Sequence, residues 1–132
     1  MRRKWMLPLI LFAVFILLAM ILPVPDAEET CRAYLSDCGY ETDTTVNAEP
    51  VTLPKAEDRV WQDYLFMQRE TGFDMAPYSG RRVIRYTFTI LNYPFQGPVF
   101  ANLYWADGKI VGGDIMSPAL DGFMHGLPLD LL

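Results

Sequence analysis

The residues best equipped for chemistry are Asp114, Asp121 and His125, two carboxylates and the chain's single histidine. Such a set can hold a divalent metal or run acid–base catalysis, because imidazole titrates near neutrality. Asp114 is expected at the end of a strand. Asp121 and His125 lie in a tail with Pro118, Gly122 and Gly126, which must fold back to complete the set. The same residues have a plainer reading, in which Asp121-Gly122 turns the chain, Phe123 and Met124 plug the core, and His125 caps a backbone carbonyl. Other catalytic signatures are missing. Ser36, Ser79 and Ser117 lack a Gly-x-Ser-x-Gly elbow, and Gly108, Gly112 and Gly113 precede no helix that could cradle phosphate. No catalytic residue and no cofactor is therefore expected.

A second cluster is aromatic. Tyr93, Phe95, Phe100, Tyr104 and Trp105 crowd around one hairpin, where they can pack a core or line a groove for peptide or glycan. Phe66 is a further candidate contact, because the 100° step of a helix turns it away from its apolar neighbours. Cys31 and Cys38 are the chain's two cysteines. On one helix their Cα atoms stand roughly 10 Å apart, beyond the ~4.4–6.8 Å of a disulfide. Two buried thiols are the simple expectation, a bridge requires the helix to unwind near Asp37, and a zinc site lacks further ligands.

The elements that must position these residues follow from patterning. Residues 28–38 read as a short helix that Gly39 stops, with Cys31, Tyr34, Leu35 and Cys38 on one face. Residues 40–46 and 51–53 read as two short edge strands joined by 47–50. Residues 55–70 form a longer helix, with Val60, Trp61, Tyr64, Leu65 and Met67 on its packed face and Gly72 past its end. Strict alternation over 82–90 marks the clearest strand. Residues 99–105 and 109–116 then flank Asp107-Gly108, a dipeptide suited to a two-residue hairpin turn. Gly112-Gly113 inside the last strand suggests a bulge or a close backbone approach. The fold expected is α+β: a small antiparallel sheet of three to five strands, packed against one long and one short helix.

Ahead of that domain, residues 5–22 carry no charge and would rise about 27 Å as a helix, near a bilayer core of ~30 Å. Arg2, Arg3 and Lys4 precede the run, and Asp26, Glu28 and Glu29 follow it. This bias expects the N-terminus in the cytoplasm and the rest outside a cell membrane crossed once. The exit places Pro25 three residues before a cut after Ala27, and Glu28 to Thr30 spoil a lipoprotein site at Cys31, so the segment is expected to stay uncleaved. Secretion after cleavage, or a buried soluble helix, are the alternatives. The organisation expected is a basic stub (1–4), an anchor (5–22), a linker (23–31) and one exported domain (32–132). Net charge is −5, and the three basic residues of the stub contribute +3, so the remainder carries −8. Nucleic acid is excluded as a partner by that charge.

Several strings resemble the bacterial family catalogued as domain of unknown function 4830. They are Gln68-Arg69-Glu70-Thr71-Gly72-Phe73-Asp74, Tyr86-Thr87-Phe88, Leu91-Asn92-Tyr93-Pro94, Gly112-Gly113-Asp114-Ile115 and Leu120-Asp121-Gly122-Phe123-Met124-His125-Gly126. The resemblance spans about residues 32–127 and implies an exported or membrane-anchored module without an assigned activity. The function expected is a membrane-tethered, extracytoplasmic binding or regulatory module without catalysis. Its expected partner is a protein, peptide or glycan at the cell surface, with the bilayer held through the anchor. The rival is a metal-dependent enzyme using Asp114, Asp121 and His125, and a third reading is a secreted inhibitor or signal.

Overall fold

The computed structural model describes residues 6–21 and 26–132. Helix α1 (Met6–Ile21) is apolar along its whole length, and every side chain from Met6 to Leu17 is exposed. Its 16 residues rise about 24 Å. Among the described residues no helix is long and apolar enough to cross a membrane. Trp5, Leu22 and the basic residues of the stub, on which the expected anchor also rests, lie outside the described residues.

Helix α2 (Ala27–Asp37) begins at Asp26, whose carboxylate accepts the Glu28 N–H, and ends where Gly39 adopts a φ of 90°. A left-handed residue at that position is what glycine supplies without a Cβ penalty. Cys31, Tyr34 and Leu35 are buried, Cys38 is half-buried against the same core, and both thiols are free.

Strand β1 (Thr42–Thr52) is one continuous edge strand where two short ones were expected. Pro50 sits within it, opposite Ile84. An edge strand tolerates proline because one side of its backbone needs no ladder partner. The irregularity lies earlier, as a register shift between Thr42 and Val46.

Helix α3 (Arg59–Glu70) starts four residues later than the pattern suggested, because Asp58 caps it by accepting the Trp61 N–H. Trp61 and Leu65 are buried as expected. Val60 is 78% exposed instead, and Gln68 takes a fully buried place. Strands β2 (Arg82–Ile90), β3 (Phe100–Ala106), β4 (Lys109–Met116) and β5 (Met124–Gly126) complete an antiparallel sheet in the order β1-β2-β3-β4-β5. Asp107 and Gly108 both hold positive φ, 53° and 73°, which is the two-residue hairpin turn their dipeptide favours. The protein is therefore α+β with five strands, at the upper end of the expected range.

Neighbouring residues along a strand face opposite sides of a sheet. Phe88, Leu103 and Ile115 join Cys31 and Leu35 in one core cluster, so α2 covers that side. Val83, Val111 and Met75 join Trp61 and Leu65 in a second cluster, so α3 covers the other. The register shift between Tyr104 and Trp105, opposite Val111, puts Val111 on the α3 side although Ile115 faces α2. The sheet is thus sandwiched between two helices, with a core on each face.

Candidate functional site

The α3 side of the sheet holds the buried polar side chains Gln68 and Asp114. α3 reaches the sheet through Gln68, whose amide donates to the Gly113 carbonyl at 2.7 Å and accepts the Gly113 N–H at 3.1 Å. A side-chain amide here does the work of a neighbouring strand, satisfying two buried backbone groups at once. That approach requires Gly112, where a Cβ would stand 2.2 Å from the Met75 sulfur and 2.9 Å from the Gln68 oxygen.

With α3 held there, a groove of about 540 Å³ opens between the helix and the sheet. Val51 of β1, Arg85 of β2, Tyr104 of β3, Asp114 of β4 and Met124 of β5 all line it, so it crosses every strand. Val60, Trp61 and Tyr64 of α3 form its wall. Four strand spacings make it about 19 Å long.

Asp114 is 1% exposed in this groove's floor. One carboxylate oxygen accepts the Tyr64 hydroxyl at 2.6 Å and the other accepts the Asn102 amide at 3.1 Å. Asn102 is oriented in turn by the Thr87 hydroxyl, which donates to its carbonyl oxygen at 2.9 Å. Among the described residues no cationic side chain forms an ion pair with Asp114. Arg85, the cation of the groove, is engaged by Glu49 directly across from it on β1, and its Nε is buried without a hydrogen-bond partner.

Burial raises the Asp114 carboxyl above its ordinary value, against the opposing pull of Tyr64, Asn102, Arg85 and His125. Burial, and then the Asp114 carboxylate, pushes the Tyr64 phenol well up. Tyr104 is raised for the same two reasons, with Arg85 opposing. A carboxyl and two phenols shifted together in one groove mark a candidate site.

The other sequence candidates are dispersed. His125 pairs with Ile115 and so faces away from Asp114. Its Nδ1 lies 2.9 Å from the Gly126 carbonyl, which accepts only, so Nδ1 donates there, and Nε2 shares a hydrogen bond with the Tyr93 hydroxyl at 2.7 Å. Asp121 is exposed in the turn that the Gly122 N–H closes onto the Ala119 carbonyl. Asp114, Asp121 and His125 are not brought together. Among the described residues no group of three or more His, Cys, Asp or Glu side chains could hold a metal ion.

The aromatic group divides as well. Tyr93 and Phe95 pack with Phe123 and His125 at the end of the α2 side, where Tyr93 and Phe123 rings stack at 4.8 Å. Phe100 is half-buried on β3, and Trp105 lines a separate cleft of about 500 Å³ beside the hairpin turn and the C-terminal residues. Tyr104 alone of the five lines the α3 groove, edge-on to Tyr64. Phe66 is 60% exposed on the far side of α3, as its angle predicts.

Sequence reasoning missed Tyr64, Asn102, Arg85 and Gln68 as site residues. The available signal was parity: Arg85, Asn102 and Asp114 fall on the same side of three adjacent strands once the hairpin register is set.

No curated protein and no solved structure matches the chain. The model of the family described as Domain of unknown function (DUF4830) matches residues 34–115, a stretch that includes Tyr64, Arg85, Asn102 and Asp114. Because that match covers more than half of the sequence, the chain belongs to the DUF4830 family.

Proposed function

We propose that the protein is a membrane-tethered, extracytoplasmic binding module that works without catalysis and takes its partner in the groove beside α3. The observation that carries this reading is the groove itself: a cleft across five strands, lined by exposed Val60 and by a buried carboxylate that no described cation pairs with. Among the described residues that line it there is no serine, cysteine or histidine. Tyr64 and Asn102 spend their donors holding Asp114 in place.

Tethering draws support from α1. Leu7, Leu9, Leu11 and Phe15 are each more than 60% exposed, an arrangement suited to lipid and costly in water. The apolar sequence continues to Trp5 and Leu22, with Arg2, Arg3 and Lys4 before it. The positive-inside bias then puts the domain outside.

The test is site-specific photo-crosslinking in the native host, with a photoreactive side chain placed at Val60 or, as a comparator on the α2 side, at exposed Ser36. A discrete adduct from Val60 and none from Ser36, both in the carbonate-resistant membrane fraction, is the expected result. Adducts absent from Val60, or protein found in the soluble fraction, would contradict the proposal.

A further inference from the structure

Resting on that binding reading, we infer that the groove takes an extended peptide segment carrying one lysine or arginine side chain between apolar residues. A length of about 19 Å holds roughly six residues at 3.3 Å each. The two ends of the groove are apolar, Val51 and Leu53 at one and Met116 and Met124 at the other, and Met124 is 48% exposed there. The middle is polar, with Arg85, Tyr104, Asn102 and Asp114 in sequence across the sheet. Apolar, polar, apolar along one line is the pattern an extended chain reads with alternate side chains.

Charge selects the central side chain. Asp58 and Asp114 line the groove and Glu49 flanks it; among the described lining residues the one cation is Arg85, which Glu49 already holds. The groove's lining therefore has an excess of negative charge, and among the described residues no cationic side chain forms an ion pair with Asp114. A basic group above Asn102 and Tyr104 comes within range of that carboxylate, whose burial limits its screening by water. An anionic ligand meets the opposite field. A glycan needs a free aromatic face to stack on, whereas the groove's aromatics pack on one another: Trp61 is 4% exposed and stacked on Tyr64 at 5.5 Å, and Tyr64 meets Tyr104 edge-on.

The experiment uses the full chain in detergent micelles and three labelled heptapeptides of leucine and alanine, with lysine, norleucine or glutamate at the centre, read by fluorescence anisotropy. The lysine peptide is expected to bind at least about tenfold more tightly than the other two. Asp114→Asn should erase that preference while leaving norleucine binding in place. Val60→Arg, at an exposed position that leaves the core intact, should weaken all binding. Circular dichroism confirms the fold of each variant. Equal binding of the three peptides, or a preference that survives Asp114→Asn, overturns the inference. So does the absence of binding, and if Val60 still crosslinks in cells, the binding module stands while its peptide chemistry falls.

Discussion

The two faces of this sheet are built from alternate residues of the same strands, yet they are stabilised in different ways. The α2 face is apolar: Cys31, Leu35, Phe88, Leu103, Ile115 and Leu127 are each 0% exposed, and no charged side chain is among them. The α3 face has a smaller apolar cluster and fully or nearly buried polar groups beside it, Gln68 at 0% and Asp114 at 1% exposed. Close packing needs nothing from outside the molecule. A buried carboxylate satisfied by two neutral donors keeps an unmet charge, and that is the property a ligand can use. On the proposed function, the difference assigns stability to one face and recognition to the other.

The largest expected effect that sharpens this division is on the α2 side. Phe88→Ala should cost about 3–5 kcal/mol in a urea titration while leaving any ligand of the groove bound in the fraction that remains folded. Gln68→Ala comes next, at about 2–4 kcal/mol, because it strands both buried backbone groups of Gly113 and also loosens the wall of the groove. Gly112→Ala should cost about 1–3 kcal/mol, since Met75 must move away from the new methyl group.

A smaller effect concerns pH. The Asp114 carboxyl is raised in the folded state above its ordinary 3.8, so its contribution is fully present below that value and is lost as pH rises through the folded value. Asp114→Asn should remove this decline, and thermal melts across the acidic range are the measurement. The smallest effect is kinetic. The Cys31 thiol is buried and pushed up to about 12, so native protein should be alkylated slowly and at half-buried Cys38 alone, with Cys31 reacting only after unfolding.

Much of the fold was legible because it rests on local chemistry. Alternation over Arg82–Ile90, the Asp107-Gly108 turn and the stop at Gly39 each depend on a few adjacent residues, and each appears where expected. Gly112-Gly113 suggests a bulge or a close backbone approach, and a register shift lies beside it while the Met75 and Gln68 side chains close on Gly112. β1 was split in two because Pro50 and a threonine-rich, acidic stretch weaken the strand signal, and the edge position that permits them is a property of the whole sheet.

That edge is also guarded. Arg32 donates to the Asp43 and Thr44 carbonyls at 2.7 and 3.2 Å, and Pro50 withholds an N–H, so β1 offers little to another strand.

The site was less legible. Asp114 was singled out by type, but its partners were not, because Tyr64 and Asn102 are 50 and 12 residues away in the chain. Gln68 reads as an ordinary solvated helix residue until α3 is placed on the sheet. His125 was grouped with Asp114 on chemistry alone, and the strand register turns the two to opposite faces.

The most direct test of the division between the faces is the titration of the Asp114 carboxyl carbon by nuclear magnetic resonance, in the unliganded full chain. A midpoint above 3.8, rising further in Tyr64→Phe as one hydrogen bond to the charged form is lost, is the predicted result. A midpoint at or below 3.8 would mean that the carboxylate is already compensated, and the case for an unmet charge in the groove would be lost.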